Sequence, residues 1–255
     1  MKDIKSVLEN RKSNRDFAGQ VNLDIVRETV KLAQRTACSM NAQQISVVMI
    51  TEQDKLEQIS QINWGQEHIK SCSAFLLFVL DNNRQDAVIA MENGGKVGIQ
   101  DDIESIVVGS VDAGLIAQSV ELLLQAQGIG TCFIGGVRNN IKAVAKLAGI
   151  TGIATPLLGI AVGNVDTIEN DQLDIRPRVN FESFFFEGQY DEAKVRNGAV
   201  DYNEQLNKWW ELRGEGEHQS YAQSMMQSYT KSYIPHLFSD LQAMGYLGDY
   251  QKKDK

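Results

Sequence analysis

The sequence is poor in the side chains that bind metals and form disulfides. Its 255 residues include three histidines and three cysteines, and the cysteines are Cys38, Cys72 and Cys132. Their odd number, the lack of a C-x-x-C pair and the length of the chain argue against a disulfide framework. We interpret them as small buried apolar residues, with a catalytic thiol as the alternative. No histidine and cysteine cluster has the spacing of a zinc site, and we predict no metal.

Several familiar motifs are also missing. No G-x-G-x-x-G follows a predicted strand, so the fingerprint of a Rossmann dinucleotide site is absent. The chain has neither the G-x-x-x-x-G-K-[ST] phosphate loop nor the G-x-S-x-G elbow of many serine hydrolases. A kinase or hydrolase would therefore need an unusual site.

Basic charge and long apolar runs are scarce as well. The formal net charge is -8, which argues against nucleic acid as a main partner because duplex binding needs dense Lys and Arg. The N-terminus has no signal-like apolar core, and the most apolar segment, 106–127, is interrupted by Asp112 and Glu121. We expect a cytoplasmic protein with no nucleic-acid or membrane partner.

Helical and strand patterns alternate along the chain. Apolar periodicity and end signals predict helices over 3–10, 23–37, 104–127 and 139–148, and strands over 46–51, 74–81, 131–136 and 157–163. The unbroken apolar run at 74–81 is typical of a central strand covered on both faces. The C-terminal third is predicted to be helical over 199–212 and 219–244, with a break near Pro235 and a loop at 213–220. This order indicates an α/β or α+β sandwich around one sheet, in a single domain.

Three cationic stretches stand out in this acidic chain. The first, "RKSNRDF", holds Arg11, Lys12 and Arg15 around Ser13; Arg138 stands alone; Arg176 and Arg178 flank a proline. A solvated surface would explain each one singly. Guanidinium forks and a hydroxyl also suit a phosphate monoester, and alternate residues of an extended "RPR" point the same way. The pattern therefore suggests a small anionic ligand.

Polar and glycine-rich stretches complete the candidate site. "CSMNAQ" at 38–43 follows a helix and gathers small and amide side chains, Gln66 lies in "WGQEH", and "IGG" occupies 134–136. An ordinary helix-end turn would explain the first of them. The alternative is a set of donors and acceptors for the edge of a polar heterocycle, with glycines that let the backbone approach a flat ring.

Taken in order, these segments resemble the nitroreductase family of FMN-dependent oxidoreductases, most of all its NADPH-flavin oxidoreductase and oxygen-insensitive nitroreductase branch. "GIGTCFIGGVRNN" is the most specific stretch. The resemblance implies an α+β fold, with a central mixed, mostly antiparallel sheet flanked by helices and a C-terminal helical excursion. It implies one FMN-dependent nitroreductase-like domain over 1–255, which forms a homodimer with its sites at the subunit interface.

The resemblance also implies a role for each candidate residue. The FMN phosphate would be held by Arg11, Ser13, Arg176 and Arg178; Arg11 stands where the branch often has His. Arg15 would face the N1/O2 edge of the flavin, and Gln66 the pyrimidine edge. The ring would be lined by Ser39, Met40, Asn41 and Gln43 from the second subunit, and N5 approached by Ile134, Gly135 and Gly136. Arg138 and Arg213, with Arg15, would meet NAD(P)H.

The implied activity is ping-pong hydride transfer from NAD(P)H through flavin N5 to nitroaromatics, quinones or free flavins, with no catalytic side chain required. A flavin-binding electron carrier or sensor is the alternative, and a flavin-free α/β binding protein is a third possibility. Glu215 and Glu217 follow Arg213 where the branch commonly has further arginines. Carboxylates repel a 2′-phosphate, so we predict that NADH competes with NADPH as the reductant. Phe184, Phe185 and Phe186 are expected in packing rather than in the pocket.

Overall fold

The computed structural model describes residues 2–92, 94–166, 175–215 and 217–248. The chain forms two compact units, one of residues 1–172 with 236–255 and one of residues 173–235. The predicted single domain over 1–255 stays a prediction. Gly216, inside the predicted 213–220 loop, lies outside the described residues.

The first unit is built on a four-stranded sheet. Its strands are β1 (Ile45–Ile50), β2 (Ala74–Asp81), β3 (Ile129–Ile134) and β4 (Ala154–Asn164), in the order β1-β2-β4-β3. Within the described residues every strand pair is antiparallel. The four predicted strands are therefore confirmed to within three residues at each end. Residues 74–80 of β2 are all buried, as the apolar run predicted.

Ten α-helices accompany the sheet in the described residues. They are α1 (Ile4–Glu9), α2 (Leu23–Ala33), α3 (Gln53–Ile62), α4 (Glu67–Lys70), α5 (Asn83–Ile89), α6 (Ile103–Ala126), α7 (Ile141–Ala148), α8 (Glu192–Leu212), α9 (Tyr221–Tyr229) and α10 (Leu237–Ala243). The predicted helices are confirmed, although the second ends at Ala33 rather than at 37 and the one predicted over 199–212 begins at Glu192. Helices α3, α4 and α5 were not predicted; α4 and α5 are short and bury few apolar side chains, whereas α3 has ten residues and buries Leu56 and Ile59.

The sheet separates two apolar clusters. Leu76, Phe78 and Leu80 of β2 pack in one cluster with α2 and α6, while Phe75, Leu77 and Val79 pack in the other with α3 and α7. Successive side chains of a strand point to opposite faces, so an unbroken apolar run serves both layers. The unit is thus an α+β sandwich.

Helix α6 combines a buried and an exposed apolar face. In the described part of the chain it is the one helix long and apolar enough to cross a membrane by length and composition. Its Ala113, Ala117 and Val120 are fully buried in the cluster with α2 and β2. On another side an exposed stripe recurs every four residues, formed by Ile103, Val107, Val111 and Leu115. The face that carries Ala113, Ala117 and Val120 therefore packs α6 into the core of the unit.

The second unit is helical and carries exposed aromatic side chains. A short turn at Phe181–Ser183 packs on α8, where Gly198 leaves room for the Ser183 side chain. Phe184 and Phe185 are exposed, so they are not core residues of this unit. The predicted 219–244 helix is divided into α9 and α10, with Pro235 between them.

Candidate functional site

The cationic segment 11–17 lies along the ends of β3 and β4. The Asn14 amide donates to the carbonyl of Thr131 at 2.8 Å, and the Thr131 amide donates to Asn14 Oδ1 at 3.2 Å. Two strand glycines make room for the segment. A Cβ on Gly130 would lie 3.2 Å from the Asn14 Cβ, and one on Gly163 would overlap the Phe17 ring. Since no other residue lacks a Cβ, glycine allows this close packing.

Three predicted phosphate and ring ligands on this segment influence the pKa of one side chain, Cys132 on β3. Burial raises the pKa of the Cys132 thiol, while the Arg15 charge, a hydrogen bond with Ser13 and the Arg11 charge partly offset that rise. Arg11, Ser13 and Arg15 therefore share the neighbourhood of Cys132 on β3. Their binding of a flavin phosphate and ring stays a prediction.

A buried carboxylate lies behind Arg11. Glu121 on α6 is 1% exposed, and its Oε1 is 3.4 Å from Arg11 Nη1. Gln118 Nε2 donates to the other oxygen at 2.7 Å. Sequence reasoning did not assign Glu121 to the site, although a carboxylate within an apolar helix was the available signal.

Residues 38–44 form a constrained turn anchored on α6. Met40, Asn41 and Gln43 have φ of 49°, 54° and 51°, a left-handed conformation that is sparsely populated by residues other than glycine. Asp112, 2% exposed, accepts from the Ser39 amide at 3.1 Å and from Gln44 Nε2 at 2.9 Å. Arrangements of this kind cluster at binding sites. The predicted ring-lining residues therefore share one rigid turn, and Asp112 is the anchor that the sequence analysis missed.

Buried polar atoms occur near Gln66. Trp64 and Gly65 have positive φ, and the Gln66 carbonyl accepts from Ser60 Oγ at 2.8 Å at the start of α4. His68, two residues after Gln66, is 8% exposed, and its Nε2 has no hydrogen-bond partner within the protein. Burial and then the Arg15 charge lower the His68 pKa, while the Asp16 charge partly offsets that fall.

The glycines of "IGG" make close contacts within the protein. A Cβ on Gly136 would overlap Asn63 Oδ1, and one on Gly135 would lie 3.2 Å from Arg138 Nη2. Asn63 Oδ1 is buried without a hydrogen-bond partner, while Arg138 Nη1 donates to the Leu157 carbonyl at 2.8 Å. The glycines follow directly after Ile134, the last residue of β3. The hydrogen bond to the Leu157 carbonyl thus holds the Arg138 side chain beside Gly135.

In the second unit two of the three predicted anion-binding arginines, Arg176 and Arg213, stack on tryptophans. The Arg176 guanidinium carbon lies 5.0 Å from the Trp210 ring centroid, and that of Arg213 lies 4.0 Å from the Trp209 centroid. Arg178 Nη1 instead donates to the Arg176 carbonyl at 3.0 Å. Arg176 and Arg178 therefore have different partners here. Their shared binding of one phosphate stays a prediction.

The donor set of the first unit fits FMN. Cationic forks and a hydroxyl suit a phosphate. A rigid polar turn, glycines and unpartnered buried atoms at Asn63 and His68 suit a heteroaromatic ring. The described residues contain no group of three His, Cys, Asp or Glu side chains able to hold a metal ion.

Comparisons with known proteins agree with this fold. The pattern described as the nitroreductase family matches residues 8–164, and that of its C-terminal domain matches residues 176–249. A protein named FMN reductase (NAD(P)H) from Bacillus subtilis is 27% identical over 246 residues, covering 95% of this chain and 97% of that protein. The NADPH-flavin oxidoreductase of Vibrio harveyi is 26% identical over 245 residues, with coverages of 95% and 97%.

The solved structure of the hypothetical oxidoreductase YcnD from Bacillus subtilis has a TM-score of 0.89 to this chain at 25% identity, covering 96% of this chain and 98% of that one. The predicted α+β nitroreductase-like fold is therefore confirmed. Since one family pattern alone matches more than half of the chain, the protein belongs to the nitroreductase family.

Proposed function

We propose that this protein transfers hydride from NAD(P)H to nitroaromatics, quinones or free flavins by a ping-pong reaction. The nitroreductase-family chain is an NAD(P)H-dependent oxidoreductase with FMN as its cofactor. Bound FMN supplies a ring that takes up hydride at N5 and passes reducing equivalents to the acceptor. The observation that carries the proposal is the cationic segment fixed on β3 by two hydrogen bonds between Asn14 and Thr131, with Arg11 held beside Glu121.

The residues of this segment bind and orient the cofactor. Arg11 and Ser13 hold the phosphate, because charge-assisted hydrogen bonds to phosphate are short and directional. Arg15 is exposed and its charge lowers the His68 pKa, and we propose that it stabilises negative charge on the N1/O2 side of the ring. No side chain has to donate a proton to the reduced ring for hydride transfer to occur. Substitutions in this segment should therefore change binding and rate rather than abolish a proton step.

Much of the ring site is held on constrained backbone. Asn41 and Gln43 lie on the turn anchored by Asp112, and Gln66 begins α4. Gly135 brings main chain close to the ring, with Arg138 behind it. Such preorganisation favours a flat ligand because little conformational entropy is lost on binding.

We propose a homodimer in which the 38–43 turn serves the partner's site. The exposed apolar stripe of α6 supports it, since contiguous apolar surface on a folded chain marks an interaction surface. Val111 of that stripe is next to the anchor Asp112. The mass in solution by light scattering tests this, and a monomer at micromolar concentration would contradict it.

NADH is the proposed competitor of NADPH at the reductant site. Glu215 Oε2 is 3.5 Å from His218 Nδ1, in the loop that follows Arg213. Each of the two carboxylates repels the 2′-phosphate of NADPH and, at a solvated surface, should weaken NADPH binding by about a few-fold. The ratio of kcat/KM for the two reductants tests the argument, and a strong NADPH preference would overturn it.

Anaerobic reduction tests the proposed activity. The purified protein should be yellow, NADH or NADPH should bleach the flavin bands rapidly, and a quinone or nitroaromatic should restore them. Initial rates at varied reductant and acceptor should give parallel double-reciprocal lines. A flavin that stays oxidised with either reductant would instead favour the electron carrier or sensor.

A further inference from the structure

Glu121 is a buried carboxylate that contacts the Arg11 guanidinium. Its Oε1 accepts contacts from Arg11 Nη1, Thr131 Oγ1 and Gln125 Nε2, each at 3.4 Å. The shorter 2.7 Å bond from Gln118 reaches the other oxygen. Buried charges are costly unless they are paired and hydrogen-bonded, so Arg11 is the counter-charge that this carboxylate needs.

Arg11 therefore already pairs with a carboxylate of the protein itself, that of Glu121. Its side chain is 26% exposed, so part of the guanidinium faces solvent while another part faces Glu121. The 3.4 Å separation is longer than the roughly 2.7–2.9 Å of a strong charge-assisted hydrogen bond. Arg11 is held in place, yet its positive charge is shared with a carboxylate before any ligand arrives.

We infer that Glu121 competes with the flavin phosphate for Arg11 and is a specificity-determining residue. It lowers the preference of the site for phosphorylated over unphosphorylated flavins. The inference rests on the proposed function, in which Arg11 binds the FMN phosphate. A phosphate monoester carries about 1.5–2 negative charges near pH 7, and any such group on Arg11 lies close to the Glu121 charge.

Neutral hydrogen bonds hold the backbone of the cationic segment independently of the Glu121 charge. Gln125 Nε2, which contacts Glu121, also donates to the Lys12 carbonyl at 3.2 Å and to Thr131 Oγ1 at 2.8 Å. The backbone of the segment is thus fixed by neutral groups. Removing the Glu121 charge frees Arg11 electrostatically and leaves these neutral bonds to hold the segment.

The test compares FMN with riboflavin, which shares the ring but lacks the phosphate. Flavin is removed from wild-type protein and from Glu121→Gln, and each is titrated with both flavins by fluorescence quenching. Glu121→Gln should tighten FMN about tenfold while riboflavin changes less than about twofold, so the ratio of riboflavin Kd to FMN Kd rises about tenfold. The matched control Glu104→Gln removes the same charge from an exposed position of α6 and should keep the wild-type ratio.

Two results would overturn the competition. One is an unchanged ratio in Glu121→Gln, and the other is a lower ratio, which would make Glu121 a residue that positions Arg11 for the phosphate. If Glu121→Gln fails to fold, Glu121→Asp draws the carboxylate back by one methylene and should raise the ratio by a smaller factor. Wild-type protein that binds neither flavin would overturn the proposed function itself.

Discussion

Replacing Asp112 by asparagine tests whether one buried carboxylate fixes the 38–44 turn. Asp112 accepts from the Ser39 amide at 3.1 Å and from Gln44 Nε2 at 2.9 Å. An asparagine has one oxygen, so one of these donors keeps a neutral partner and the other meets an NH₂ group. Hydrogen bonds to a charged group contribute about 1.5–3 kcal/mol each, and an unpaired buried donor costs about 1–3 kcal/mol. We expect Asp112→Asn to lower the free energy of unfolding by about 2–4 kcal/mol.

The assay is urea unfolding of the FMN-saturated protein at fixed flavin concentration, with hydrogen exchange read at residues 38–44. The matched control is Asp102→Asn, at the start of the same helix. Asp102 is the exposed N-cap of α6 and accepts from the Glu104 amide at 3.0 Å, and asparagine caps a helix about as well. Asp102→Asn should change stability by less than about 0.5 kcal/mol. Equal effects of the two variants, or unchanged exchange in the turn, would refute the anchoring role.

Three further predictions concern buried positions. Gly136→Ala should destabilise the protein by about 1–3 kcal/mol in thermal unfolding, since its Cβ would overlap Asn63 Oδ1. Burial and the Arg15 charge lower the His68 pKa in the folded protein. As the pH falls below about 6.5, His68 is therefore protonated in the unfolded chain before it is protonated in the folded one, which favours unfolding. Wild-type stability should fall there by up to about 1.4 kcal/mol per pH unit more than that of His68→Gln. Burial raises the pKa of Cys72 to about 12, so mass spectrometry should find it unalkylated by iodoacetamide at pH 8 in the native state.

Matched positions supply the controls. A Cβ on Gly98 would meet only open space, and the φ of Gly98 is negative, so Gly98→Ala should be nearly neutral. Cys38 is partly exposed and should be alkylated before Cys72. A benign Gly136→Ala, an unchanged slope in His68→Gln or rapid labelling of Cys72 would each contradict the corresponding packing argument.

The regular elements were predictable because apolar periodicity reports burial directly. The run at 74–81 forms a strand whose side chains alternate between two cores, and Gly149 ends α7 in the left-handed conformation. Helix α5 has no buried residue, so it leaves no apolar stripe to detect. Local pattern therefore identifies most elements that build the core, although it overlooked α3, whose Leu56 and Ile59 are buried there.

The residue types of the candidate site could be predicted from the sequence, but the contacts that those residues make with one another largely could not. The cations of segment 11–15 could be named from sequence, yet the pairing of Arg11 with Glu121 joins residues 110 positions apart. Asp112 is conspicuous within an apolar helix, but its partners on the 38–44 turn become evident only in the folded chain. Gly136 looked suited to a flat ligand, whereas the atom nearest to its missing Cβ belongs to Asn63. Long-range contacts of this kind carry no periodic signal.

The identity and amount of the flavin released by acid from the purified protein test the central claim most directly. We expect FMN, close to equimolar with the chain, and its loss on replacing Arg11 and Arg15 together by glutamine. Protein that is colourless and fails to take up FMN, or that binds FMN equally well without these two arginines, would contradict the claim.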